Sequence, residues 1–157
     1  MPPGLVGKDR PAVGMIVPQT TASALVSENK SLAWPASVDS IPTCEDQEDH
    51  IAMSTVAARR ARVVLRNATK VIAIELMSSA KALSFRLDEN SKASLGQGVA
   101  QGLLNVQRAL ENCDHPYITI GEEIECLAAT IQDGSILESL PTLLQTSDTQ
   151  IDLEGSS

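Results

Sequence analysis

Aromatic side chains are almost missing from this chain of 157 residues, which has only Trp34, Phe85 and Tyr117. A core without them has to be built from Ala, Leu, Ile, Val and Met. That palette, with little alternation of apolar and polar positions, favours helices over sheets. Positive charge is also in deficit, and the net charge of −8 argues against a nucleic-acid partner, whose phosphates repel an acidic surface. Long apolar runs are absent as well. The best candidate, VIAIELMSSAKALSF over 71–85, carries Glu75 and Lys81 and is too short to span a membrane. The opening MPPGLVGKDRP has no apolar stretch of the kind that directs export, so a cytoplasmic location is the expectation. Cysteine is scarce: Cys44, Cys113 and Cys126 are odd in number and show no CxxC spacing. Three reduced thiols is the plain reading.

What is present fits an ordinary globular chain, 43% hydrophobic and 20% charged, long enough for one domain with a core. Residues 1–18, rich in Pro and Gly at their start, read as an irregular lead-in. QTTASALVSENKSL, over 19–32, is helix-compatible with Ala22, Leu25, Val26 and Asn29 on one side, and Pro35 ends it. WPASVDSIPT, with two prolines and several small hydroxyl residues, is a structured loop.

After Pro42 neither proline nor glycine recurs before Gly96. Thr43 and Asp46 have the spacing of a capping box. Glu45, Asp46, Glu48 and Asp49 would favour the positive end of a helix dipole. The pattern predicts one helix of about 40 residues, from about 46 to 86. It is apolar around much of its circumference and needs more neighbours than the chain supplies. Further helices are expected over about 93–112 and 121–132, with Asp133-Gly134 as a turn and one more helical turn in ILESLPTLL. The helical region thus covers 19–144, and 145–157 is a polar tail. The fold class expected is all-α, a bundle of long helices.

The stretch QTTASALVSENKSLAWPASVDSIPTCEDQEDHIAM over 19–53 resembles the aromatic amino-acid ammonia-lyases, and within them the histidine-specific members. Gln19, Thr21, Ala22, Leu25, Ser27 through Lys30, the unbroken PASVDS, Pro42-Thr43 and Gln47 through His50 carry the likeness. It runs on through VIAIELMSSAKAL and weakens beyond residue 90. DHPYITIGEEIECL stands where that family has its final acidic helix. Cys44-Glu45-Asp46 departs from the usual Ser-Ala-Asn.

The resemblance implies the C-terminal part of a homotetrameric helical enzyme that eliminates ammonia from an amino acid, giving urocanate when the substrate is histidine. It also implies a methylidene-imidazolone electrophile, made from an Ala-Ser-Gly that occurs nowhere in these 157 residues. An N-terminal lyase portion is therefore an expected partner. Tyrosine or phenylalanine as substrate, and an aminomutase reaction, stay open. So does a second class of function, a non-catalytic helical oligomerisation or regulatory module.

On the residues alone, Glu48 is one of four carboxylates at a helix start. The resemblance makes it the catalytic residue of this stretch, since the Glu of QEDH lies near the substrate in histidine-specific members while phenylalanine-specific plant relatives usually have Gln. A carboxylate suits an imidazole N–H. Gln47, Asp49, His50 and Gln19 are expected to bind substrate or support the junction. No nucleophile pairs with His50 in the sequence. Neither Cys44 with His50 nor Cys113 with His115 has the paired spacing of a zinc site. Gly96, Gly98 and Gly102 form no GxGxxG and are read as close helix packing or a frayed helix start. Arg59, Arg62, Arg66 and Lys70 are read as a solvated stripe or inter-subunit ion pairs.

Overall fold

A computed structural model of the chain describes residues 3–6, 14–89, 94–113 and 118–140. Four helices make up most of it: α1 (Ile16–Leu32), α2 (Ser54–Glu89), α3 (Gln97–Glu111) and α4 (Ile120–Asp133). Short 3-10 turns occupy Pro3–Leu5, Ala36–Val38 and Ser135–Leu137. No strand occurs among the described residues, so the expectation of an all-α fold with one dominant helix holds. The expected tail, 145–157, lies outside the described residues, as does the end of ILESLPTLL beyond Leu140. The extra turn expected there is the 3-10 turn Ser135–Leu137.

The helix α1 starts earlier than the sequence suggests. Pro18 sits within its first turn and is buried, a position where the missing N–H would have no helical partner anyway. Gly14 precedes it at φ 58° and lets the Met15 N–H reach the Gly4 carbonyl at 2.9 Å. A Cβ on Gly14 would lie 2.2 Å from that oxygen, so only glycine fits.

The helix α2 has 36 residues, about 54 Å at 1.5 Å per residue, and it begins at Ser54 rather than near residue 46. The acidic cluster Glu45, Asp46, Glu48 and Asp49 therefore lies in the preceding loop, and the first turn of α2 holds no acidic residue. The expected capping box at Thr43 is replaced by an antiparallel bridge between Thr43 and Glu48. The physical reason is competition for amides. The Glu48 N–H donates to the Thr43 carbonyl at 3.3 Å, and the Ile51 N–H to Ser40 Oγ at 2.8 Å. Neither amide is free to close a helical turn.

A capping box does occur at α4. Thr119 accepts from the Glu122 N–H, and the Glu122 carboxylate accepts from the Thr119 N–H at 2.7 Å. Gly134 ends that helix in the left-handed conformation, φ 82°, as the Asp133-Gly134 turn requires. At the start of α3, Gly96 is the N-cap. A Cβ at Gly96, Gly98 or Gly102 would meet nothing within 4 Å, so close packing does not explain them.

The N-terminal half of α2 runs antiparallel to α1: Glu28 and Asn29 pair with Asn67 and Val64, and the later Trp34 pairs with the earlier Arg60. Its second half packs on α4 and α3. Ala73, Ile74 and Met77 join Val106, Ala109, Ile124, Leu127 and Ala128 in one buried cluster closed by Met15. Much of α2 remains uncovered, including Leu65 at 68% and Ile72 at 46% exposure. No described helix is long and apolar enough to cross a membrane.

One sulfur reading is overturned. Cys113 and Cys126 form a disulfide with Cα atoms 6.4 Å apart, and only Cys44 is a free, exposed thiol. The tertiary contact of α3 with α4 brings together two cysteines that no sequence spacing marks as a pair. Lys70, assigned to a solvated or inter-subunit stripe, instead pairs with Glu125 of α4 in the same chain.

Candidate functional site

Residues 33–53 leave α1 and return to α2 as a loop whose tip carries QEDH. Three consecutive non-glycine residues, Cys44 (φ 53°), Glu45 (φ 56°) and Asp46 (φ 65°), are left-handed. Each such residue costs on the order of 1–2 kcal/mol, which the surrounding bonds have to offset. They turn the chain so that Thr43 and Glu48 meet. The Thr43 N–H donates to the Glu48 carbonyl at 3.0 Å, and the Gln47 N–H to the Cys44 carbonyl at 3.1 Å. The Thr43 hydroxyl reaches a Glu48 carboxylate oxygen at 3.5 Å.

That hydroxyl is the sole partner of the Glu48 side chain among the described residues. No cation there neutralises it. Gln47, Glu48, Asp49 and His50 are all exposed, and the structure places them side by side on the loop. The side chains of Gln47, Asp49 and His50 make no hydrogen bond among the described residues. Gln19 is not brought to this place. It is exposed in the first turns of α1, thirteen residues before Leu32, about 20 Å along the helix from the loop. Its carbonyl accepts from the Ser23 hydroxyl at 3.1 Å.

The loop is held by residues to which the motif reading gave no role. Arg60 of α2 donates to the Trp34 carbonyl at 2.9 Å, and the Ser40 hydroxyl accepts the Ile51 N–H. Behind them Asn67, 7% exposed, donates to the Glu28 carboxylate at 2.8 Å and to Asn29 Oδ1 at 3.0 Å. An asparagine inside a long apolar helix was the available signal, because its helix propensity is poor and its burial requires partners.

Among the described residues no three His, Cys, Asp or Glu side chains could hold a metal ion. Cys113 is committed to its disulfide, and His115 lies outside the described residues. The donor set also cannot build a methylidene-imidazolone, for which the Ala-Ser-Gly is lacking.

Described residues that form helices and no strand, with a long helix preceded by a loop that carries QEDH, define a class. Residues 1–109 match the family model described as aromatic amino acid lyase, and the chain belongs to that family. Within it, the chain is similar to histidine ammonia-lyases. The enzyme of Caldanaerobacter subterraneus is 56% identical over 55% of this chain and 17% of its own length. That of Clostridium tetani is 40% identical over 81% of this chain and 24% of its own. The crystal structure of histidine ammonia-lyase from Trypanosoma cruzi superposes with a TM-score of 0.73 at 29% identity, covering 87% of this chain and 26% of that one. The match thus spans 17% to 26% of the length of these relatives, in their C-terminal part.

Proposed function

We propose that this chain supplies the Glu48 loop and the long-helix scaffold of an ammonia-lyase that converts histidine to urocanate. The observation that carries the reading is Glu48 itself, an exposed carboxylate at the tip of a braced loop, without a cationic partner among the described residues. Such a group can accept an imidazole N–H of the substrate or take a proton at its carboxylate oxygen. The elimination also requires an electrophile. Since these 157 residues hold no Ala-Ser-Gly, that group and the rest of the pocket must come from an N-terminal lyase portion, and this chain alone forms no urocanate. Substrate binding and proton handling at Glu48 are its own part of the reaction.

The experiment joins the chain to an Ala-Ser-Gly-bearing lyase portion and follows urocanate. Glu48→Gln should then lower turnover by roughly 10²–10⁴-fold, and Glu45→Gln, a loop neighbour outside the QEDH motif, should not. Equal small effects would remove Glu48 from the site.

A second reading has its own support. The apolar cavity of about 420 Å³ bordered by Ile72, Leu76, Leu83, Leu103 and Leu140, together with exposed Leu65, suits a non-catalytic module that assembles with helical partners. Normal assembly of the joined enzyme without any dependence on Glu48 would favour it.

A further inference from the structure

The hydrogen bonds around the loop are nested. The outermost set joins Glu28 and Asn29 to Asn67 and Val64, spanning 35 to 39 residues. Inside it Arg60 holds the Trp34 carbonyl across 26 residues, and Ser40 holds the Ile51 N–H across 11. The innermost tie, Thr43 to Glu48, spans 5. The loop is therefore laced from its base on the two helices to its tip, and Glu48 stands at the last rung.

We propose that Ser40 is a positioning residue for Glu48. The proposal rests on the reading of Glu48 given above. Ser40 is the rung next to the tip, and it is half-buried. The amide it accepts from, Ile51, lies three residues before α2 and so has no helical acceptor. Without this tie the tip would be restrained next at Trp34 and Arg60. Lengthening the closed loop from 11 to 26 residues enlarges the volume open to the tip roughly fourfold, because that volume grows as about the 3/2 power of loop length. Partial exposure lets water serve the freed Ile51 N–H, so the loss falls on placement more than on folding.

Cys44 supplies the probe. It is the one free thiol among the described residues, it is exposed, and it lies at the tip four positions from Glu48. A nitroxide attached there should become more mobile in Ser40→Ala, return towards its original mobility in Ser40→Thr, which keeps the hydroxyl, and stay unchanged in the exposed control Ser37→Ala. In the unsubstituted chain the Ile51 amide should exchange with solvent more slowly than those of Asp49 and His50. An unprotected Ile51 amide, or a label indifferent to Ser40→Ala, overturns the proposal whatever the stability of the variants. In the joined enzyme Ser40→Ala should reduce turnover between about fourfold and a hundredfold, with Ser40→Thr recovering most of it. Loss in Glu48→Gln without loss in Ser40→Ala overturns the positioning role alone. No loss in either overturns the reading of Glu48 as well.

Discussion

The side-chain nitrogen of Asn67, in the middle of α2, donates to both Glu28 (2.8 Å) and Asn29 (3.0 Å) of α1. Asn29 returns a longer contact, 3.4 Å, to the Val64 carbonyl. Two adjacent residues of the SENK motif are thus spent on fastening one helix to another, at a point where Asn67 is buried. Truncating Asn67 removes two hydrogen bonds, one of them to a carboxylate, while the exposed Glu28 can take water in its place.

Asn67→Ala should therefore destabilise the chain by about 1.5–3 kcal/mol in denaturant unfolding. Asn67→Asp should cost more, because it sets a second carboxylate against Glu28. A silent Asn67→Ala would mean that α1 is held by packing alone.

The Cys113–Cys126 bridge closes a loop of sequence separation 13 between the end of α3 and α4. Cys126→Ser, or reduction, should cost about 2–4 kcal/mol. Because the bridge is the only thing either treatment removes there, their effects on the melting temperature should not add. Val106, Ala109, Leu127 and Ala128 pack together without the sulfurs, so circular dichroism should show the helices retained.

Asp133 should report on pH. The Ser135 hydroxyl donates to its carboxylate at 2.6 Å and the Ser135 N–H at 2.9 Å. These two bonds, the hydroxyl first, hold its pKa below the usual carboxylate value against a small opposing effect of burial. The folded form thus favours the ionised group. The contribution to the turn is present above the unfolded carboxylate pKa and is lost as pH falls through the lower, folded one. Carboxyl chemical shifts should give Asp133 a midpoint below those of free aspartates, and Ser135→Ala should raise it.

The uncovered side chains of α2 predict association. At micromolar concentration the pure chain should sediment as an oligomer, strongly helical by circular dichroism. Leu65→Lys, at a position 68% exposed, should shift the distribution towards monomer with little loss of helix. A well-folded monomer at these concentrations would show that α2 needs no second layer.

The elements that the sequence determined by itself are those whose signals are local. Leu32 ends α1 ahead of Pro35, α4 runs over nearly the expected residues, and Gly134 closes it, because proline geometry, a run of apolar spacing and a left-handed glycine act within a few positions. The family likeness was legible for a related reason: PASVDS and QEDH are ordered identities that need no contact map. The stretch from residue 46 to 53 shows the limit. Its composition is as suitable for a helix as for a loop, and its acidic residues look like a helix start. Only the tertiary structure decided the matter, since the acceptors that claim the amides of Glu48 and Ile51 are Thr43 and Ser40, across the loop. The same holds for Cys113 with Cys126, Lys70 with Glu125, and Asn67 with Glu28. Each pair lies 13 to 55 residues apart in sequence, and no local propensity couples them. Packing α2 against α4 and α1 brings the last two pairs into contact, and packing α3 against α4 brings the cysteines together.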